Sequence, residues 1–77
     1  MTPNLAIIVP CFNEEEIIKD TISALNAAFK ALVVEKVISE NSFILFIDDG
    51  SSDNTLRLLK QNRTGNIKIV KLLEENF

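Results

Sequence analysis

Leu5, Ala6, Ile7, Ile8 and Val9 form an unbroken apolar run near the start of the chain, and Phe43, Ile44, Leu45, Phe46 and Ile47 form a second. Neither alternates with polar residues, which suits a strand of a parallel sheet covered by helices on both faces. The second run is rich in β-branched and aromatic residues, is bounded by turn formers and is too short for an independent helix. Pro10 directly follows the first. Proline lacks the N–H of a central ladder and biases the preceding residue toward an extended conformation, so the strand is expected to end there. Between the runs, Ile18, Ile22, Leu25, Phe29 and Leu32 recur at steps of four, three, four and three, one apolar stripe of a helix. Asn13 stands where an N-cap would, and Glu14, Glu15 and Glu16 then fall in a first turn where the helix dipole favours carboxylates by ~0.3–1 kcal/mol each. Val33, Val34, Val37 and Ile38 extend the apolar character, which predicts a helix end near Ile38 before Ser39-Glu40-Asn41-Ser42 turns the chain.

Beyond the second strand, Gly50-Ser51-Ser52 supplies turn chemistry, Ser52 or Asp53 is expected to cap a second helix, and Leu56 with Leu59 marks its buried face. Asn62 to Asn66, with Gly65, ends that helix. Ile67 to Leu72 begins as an alternating pattern, which suits a third strand near a sheet edge. With no repeats, low-complexity tracts or linkers, the order is β-α-β-α-β in one α/β unit over 1–77 with a parallel sheet. A domain of 77 residues buries only ~60–65% of its unfolded surface. The unit is therefore expected to be the truncated opening part of a larger domain.

Eight basic against eleven acidic residues give a net charge of −3, and nothing in that total favours a nucleic-acid backbone or an anionic membrane as partner. Cys11 is the single cysteine and histidine is absent, so neither an internal disulfide nor a thiolate–imidazole metal cluster can form. No chemistry is assigned to Cys11, a small near-buried residue without a basic neighbour, and a reducing compartment is expected. No apolar run approaches the ~18–20 residues that span a bilayer, and Met1-Thr2-Pro3-Asn4 lacks the basic start of a secretory signal. A cytoplasmic location is the resulting expectation.

Both strands run into polar turns, Pro10-Cys11-Phe12-Asn13-Glu14 and Asp48-Asp49-Gly50-Ser51-Ser52-Asp53. In an open parallel α/β sheet the ligand crevice lies beyond the carboxyl ends of the strands, so both turns are expected to line one crevice suited to a nucleotide sugar. Adjacent carboxylates after a strand leave the backbone on opposite sides and have different tasks. One can accept a hydrogen bond from a base, such as N3–H of uracil, and the other can accept the amides of its own turn. Phe12 offers a flat face for the base, and stacking of this kind contributes ~1–3 kcal/mol in single-strand nucleic-acid sites. Simpler readings compete. Pro10 to Asn13 also reads as a strand exit and cap, Phe12 alone as a core residue, Asp53 as a cap, and the three glutamates as a solvated first turn of which Glu14 is nearest the crevice.

The two segments Ile-Ile-Val-Pro-Cys-Phe-Asn-Glu-Glu-Glu and Ile-Leu-Phe-Ile-Asp-Asp-Gly-Ser-Ser-Asp-Asn-Thr, in this order and spacing, resemble the start of a family 2 inverting glycosyltransferase. The likeness covers essentially the whole chain and is similar to the branch of dolichol-phosphate mannose synthases and bacterial polyprenyl-phosphate glucosyltransferases. It implies a partial Rossmann-like, GT-A type fold. It also implies a UDP- or GDP-sugar donor, an acceptor such as a polyprenyl phosphate, and a nucleoside held by Pro10, Phe12, Glu14, Ile47 and Asp49, with Asp48 supporting the turn. Phe12 stands where the family often has tyrosine, keeping the stacking face without the hydroxyl. The family's divalent cation, Mg²⁺ or Mn²⁺, is held by an Asp-x-Asp motif that this chain does not contain, and its catalytic base also belongs downstream, so the chain alone is expected to be inactive. Two other classes share part of this pattern. A signalling receiver domain would use Asp48-Asp49 to hold Mg²⁺, but the pair follows the second strand and not the first. A Rossmann dehydrogenase would need a G-x-G-x-x-G turn that is absent.

Overall fold

A computed structural model describes residues 2–72. The expected unit of 1–77 therefore extends past the described residues at Met1 and at 73–77. Five elements follow in the expected order: β1 (Ala6–Cys11), α1 (Ile18–Val34), β2 (Phe43–Asp48), α2 (Thr55–Gln61) and β3 (Ile67–Lys71). The strands form one parallel sheet in the order β1-β2-β3. Each helix connects neighbouring parallel strands, as a βαβ crossover requires. This is the α/β, β-α-β-α-β architecture that the hydrophobic pattern predicts.

Burial shows where the core lies. Ile44, Phe46 and Asp48 of β2 are buried while Phe43, Leu45 and Ile47 between them are half-buried. The buried set packs with Ile18, Ile22 and Phe29 of α1 and Leu59 of α2, so both helices cover the same face of the sheet. The opposite face carries Ile8, 51% exposed, beside Leu45, and Pro10 beside Ile47. The coverage on both faces that the unbroken apolar runs suggest is thus corrected, since among the described residues one face is covered and the other is open.

Pro10 does not end β1. It pairs with Ile47 inside the ladder, and the strand runs on to Cys11. The carbonyls of Leu5 and Cys11 both accept from β2-side amides, Phe43 N and Asp49 N, each at 2.9 Å. With the two-residue period of a strand, residues 5, 7, 9 and 11 therefore turn their backbone toward β2, and Pro10 turns its missing donor toward the free edge. A proline there removes no ladder bond.

The helices differ from expectation at their ends. The stripe Ile18, Ile22, Leu25, Phe29 and Leu32 is the inner face of α1 as predicted, but the helix starts at Ile18 after a turn over Glu15, Glu16 and Ile17 and has no side-chain cap. Asn13 is not its cap, and the carboxylate in the first turn is Asp20. The helix stops at Val34, because Lys36 takes a left-handed φ of 60° and lets Ile38 turn back into the core. In α2 it is Leu58, with Leu59, that packs on the core, and Leu56 is half-buried outside it. Asn54 holds the cap position of α2 but its side chain makes no capping bond to the helix, and Asp53 accepts Thr55 N at 2.9 Å from one residue earlier. The Ser39 to Ser42 turn is present, with Ser42 N donating to Ser39 O at 3.0 Å.

Candidate functional site

The last paired residues of β1 and β2 are Cys11 and Asp48, and Asp49 N donating to Cys11 O at 2.9 Å carries the ladder one step further. The two turns therefore leave the sheet side by side. Alternation separates the two carboxylates. Asp48 falls on the helix-covered face and is 0% exposed, whereas Asp49 is exposed and leaves on the open side, after Ile47. Asp48 accepts Ser51 N at 3.3 Å and a short hydrogen bond from the Ser51 hydroxyl. Closing that loop needs Gly50 at a φ of 76°, where a side chain would be strained.

Side chains then stitch one turn to the other. Ser51 Oγ accepts Asn13 N at 2.9 Å, and Asn13 Oδ1 accepts Ser52 N at 2.8 Å. Asn13 sits at a left-handed φ of 50°, which asparagine tolerates better than most residues. Glu14 N donates to Thr55 Oγ1 at 2.8 Å, and Glu15 N to Asp53 Oδ2 at 3.2 Å. Thr55 is buried and its own hydroxyl donates to Asp53 Oδ1. Glutamate contributes too, since Asn54 Nδ2 donates to Glu15 Oε2 at 3.3 Å. With each such bond contributing a net ~0.5–1.5 kcal/mol, the turns act as one framework. Asn13, Ser51, Asp53 and Thr55 build it; sequence reading assigns the first three only to punctuation and capping and gives Thr55 no role. Their one local signal is the density of Ser, Thr, Asn and Asp in both turns.

The framework also sets two ionisations. Burial pushes the Cys11 thiol up to about 11, helped by the Glu14 and Asp48 carboxylates, so it is a neutral thiol near pH 7. For Asp53 burial works upward as well, but the hydrogen bonds from the Thr55 hydroxyl, the Thr55 amide and the Glu15 amide together outweigh it and hold the carboxyl below its ordinary value.

Of the residues singled out from sequence, Pro10 and Ile47 are register partners on the open face, and Asp49 follows on the same side. Phe12 is 56% exposed at the end of β1, which rules out the core reading for its ring. Glu14 is half-buried and its Oε1 accepts Phe12 N at 3.2 Å, tightening the first turn. A cavity of about 290 Å³ beside that turn is lined by Asn13, Glu14, Glu15, Glu16, Ile17 and Asp53, so Glu14 alone of the predicted residues borders it. A groove of about 420 Å³ lies elsewhere, along Leu56, Arg57, Lys60 and Gln61 of α2. Among the described residues no three His, Cys, Asp or Glu side chains converge to hold a metal ion. The donor set at these turns does not fit a bound divalent cation.

Residues 6–76 match the profile described as Glycosyl transferase family 2. The chain is 46% identical over 70 residues to an uncharacterized glycosyltransferase, YkoT, of Bacillus subtilis, covering 91% of this chain and 21% of that protein. It is 38% identical over 72 residues to poly-beta-1,6-N-acetyl-D-glucosamine synthase of Staphylococcus aureus, covering 94% of this chain and 15% of that protein. The chain thus spans about a fifth or less of the length of these relatives. No solved structure matches it. A parallel β-α-β-α-β unit whose two strand-end turns are tied together, and whose family match runs through nearly all of its length, belongs to glycosyl transferase family 2.

Proposed function

We propose that this chain forms the nucleotide-binding part of an inverting glycosyltransferase that takes a sugar from a UDP- or GDP-sugar. The observation that carries the reading is the split between the two aspartates. Asp48 is consumed by its own turn, while Asp49 is presented to solvent at the end of β2, next to the end of β1 that carries the exposed Phe12. In this reading Asp49 accepts the base N–H, Phe12 stacks on the ring, Pro10 and Ile47 form the apolar floor and Glu14 faces the ribose. Family membership supports it, as do relatives whose names denote glycosyltransferase and N-acetylglucosamine polymer synthase.

The finer assignments belong to the same proposal. The acceptor is a polyprenyl phosphate, as in the dolichol-phosphate mannose synthase branch, and the site faces the cytoplasm. A divalent cation, Mg²⁺ or Mn²⁺, supplies charge neutralisation at the diphosphate when bound. Its ligands and the catalytic base lie outside these residues, whose part is to bind and orient the nucleoside. No described helix is long and apolar enough to cross a membrane. Calorimetric titration of UDP and GDP into the full-length protein and its Asp49→Asn form tests the reading. A loss of ~1.5–3 kcal/mol for one nucleotide is expected, the scale of a charge-assisted hydrogen bond. Unchanged affinity for both would remove Asp49 from the pocket.

A further inference from the structure

The net charge of −3 averages over a strong segregation. Residues 54–72 hold Arg57, Lys60, Arg63, Lys68 and Lys71 and no acidic residue, whereas residues 2–53 hold three lysines against nine carboxylates. The next carboxylates in sequence, Glu74 and Glu75, lie outside the described residues. All five basic residues are exposed. Among the described residues the contacts of three of them are to neutral groups: Arg57 Nε donates to the Asn54 amide oxygen at 3.4 Å, Arg63 Nε to Ile67 O at 3.0 Å, and Lys68 Nζ stands 4.3 Å from the centre of the Phe43 ring. Because β3 is an edge strand and α2 packs on β2 and β3, these residues ring one end of the molecule, opposite the β1 edge. Val70 and Leu72, both 43% exposed, lie among them, and Arg57 and Lys60 share their groove with Leu56.

We propose that this α2–β3 end docks peripherally on an anionic lipid surface. Lysine and arginine with apolar neighbours suit such an interface, because their stems lie along apolar surface while the charged ends reach headgroups. The carboxylates nearest this end accept hydrogen bonds within the turn framework, Asp48 from Ser51, Asp53 from Thr55 and Glu15 from Asn54, and Asp48 is fully buried, whereas the five cations are exposed. A nucleic acid fits less well. Residues 54–72 contain no aromatic side chain for a base to stack on. The inference stands independently of the proposed sugar transfer, because it uses none of the residues assigned to the nucleotide.

The test is co-flotation of the purified protein, in the longest form its gene encodes, with phosphatidylglycerol–phosphatidylcholine vesicles and with phosphatidylcholine vesicles. A variant combining Arg57→Gln, Lys60→Gln, Lys68→Gln and Lys71→Gln is compared with a control combining Lys19→Gln, Lys30→Gln and Lys36→Gln, both checked for folding by circular dichroism. The double variant Lys60→Gln, Lys71→Gln serves if the fourfold one unfolds. Expected is salt-sensitive association with the anionic vesicles alone, weakened on the order of 10²- to 10³-fold in the fourfold variant, about fivefold per charge, and kept in the control. Equal association with neutral vesicles, equal loss in the control, no association, or preference for a single-stranded oligonucleotide at the same salt would each overturn the proposal.

Discussion

At the scale of single residues, the two neighbouring aspartates show what alternation alone predicts. A two-residue period places them on opposite sides of the backbone, which their adjacency after a strand implies, and that Asp48 takes the covered side and Asp49 the open one follows from both helices lying on one face of the sheet. Phe12, exposed at the turn, should matter to ligand and not to fold. Replacing Phe12 by Ala is expected to weaken nucleotide binding by ~1–3 kcal/mol while leaving the melting temperature nearly unchanged. A collapsed melting temperature with intact affinity would place the ring in the fold instead. Cys11 and Asp53 give opposite pH signatures. With its thiol raised from 9.0 to about 11, Cys11 should react slowly with a disulfide reagent at neutral pH in the native protein and fast in denaturant, and its share of stability, full below pH 9, fades as pH rises toward 11. Asp53 is lowered from 3.8, so its contribution is full above that pH and fades as pH falls through the lower native value. Equilibrium unfolding of Asp53→Asn should therefore show a flatter acid limb than the parent protein. What sequence could not reveal are the partners of Asn13, Ser51 and Thr55. Those lie some forty positions away, and a local capping rule sees only neighbours.

Among the elements, the strands and the inner stripe of α1 followed from periodicity, because burial is what periodicity records. The boundaries did not. Asn13 has the composition of a cap, but its side chain is committed to Ser52 N across the crevice, so α1 begins later and uncapped. Pro10 was expected to close β1 under a rule for central ladders, yet its nitrogen faces the free edge, where that rule has no force. Val33 to Ile38 reads as helix by hydrophobicity, and the left-handed Lys36 that ends it has no signature in residue type. The joint between elements is carried by Thr55, whose hydroxyl accepts from Glu14 N and donates to Asp53. Thr55→Val keeps the shape and removes both bonds, leaving the Glu14 amide without its partner at a half-buried position. Denaturant unfolding is expected to show a loss of about 1–3 kcal/mol, with Thr55→Ser recovering most of it. A Thr55→Val protein as stable as the parent would mean that the turns are held by the sheet alone.

On the scale of the whole molecule, the decisive feature is a sheet with both helices on one face. Ile8 and Val70 are 51% and 43% exposed on the other, flanking the half-buried Leu45 and Ile47 of the central strand. Among the described residues the free edge of β1 adds backbone groups at Ala6 and Ile8 with no strand beside them, and Pro10 blocks only the last position. Sequence pattern could not distinguish this arrangement from a strand covered on both sides, since an apolar run reports what a residue tolerates and not what lies on it. An uncovered apolar face and an open edge invite pairing with another copy, and they deprive the unit of burial when even complete domains are stable by only ~5–15 kcal/mol. The 77-residue chain expressed alone is therefore expected to be marginally folded or self-associating, to bind nucleotide weakly and to transfer no sugar. Size-exclusion elution against concentration, thermal melting, and sugar-nucleotide turnover with a divalent metal check the three parts. A monomer that melts cooperatively and turns over donor would require both a cover for the Ile8 face and a metal site, and among the described residues neither exists.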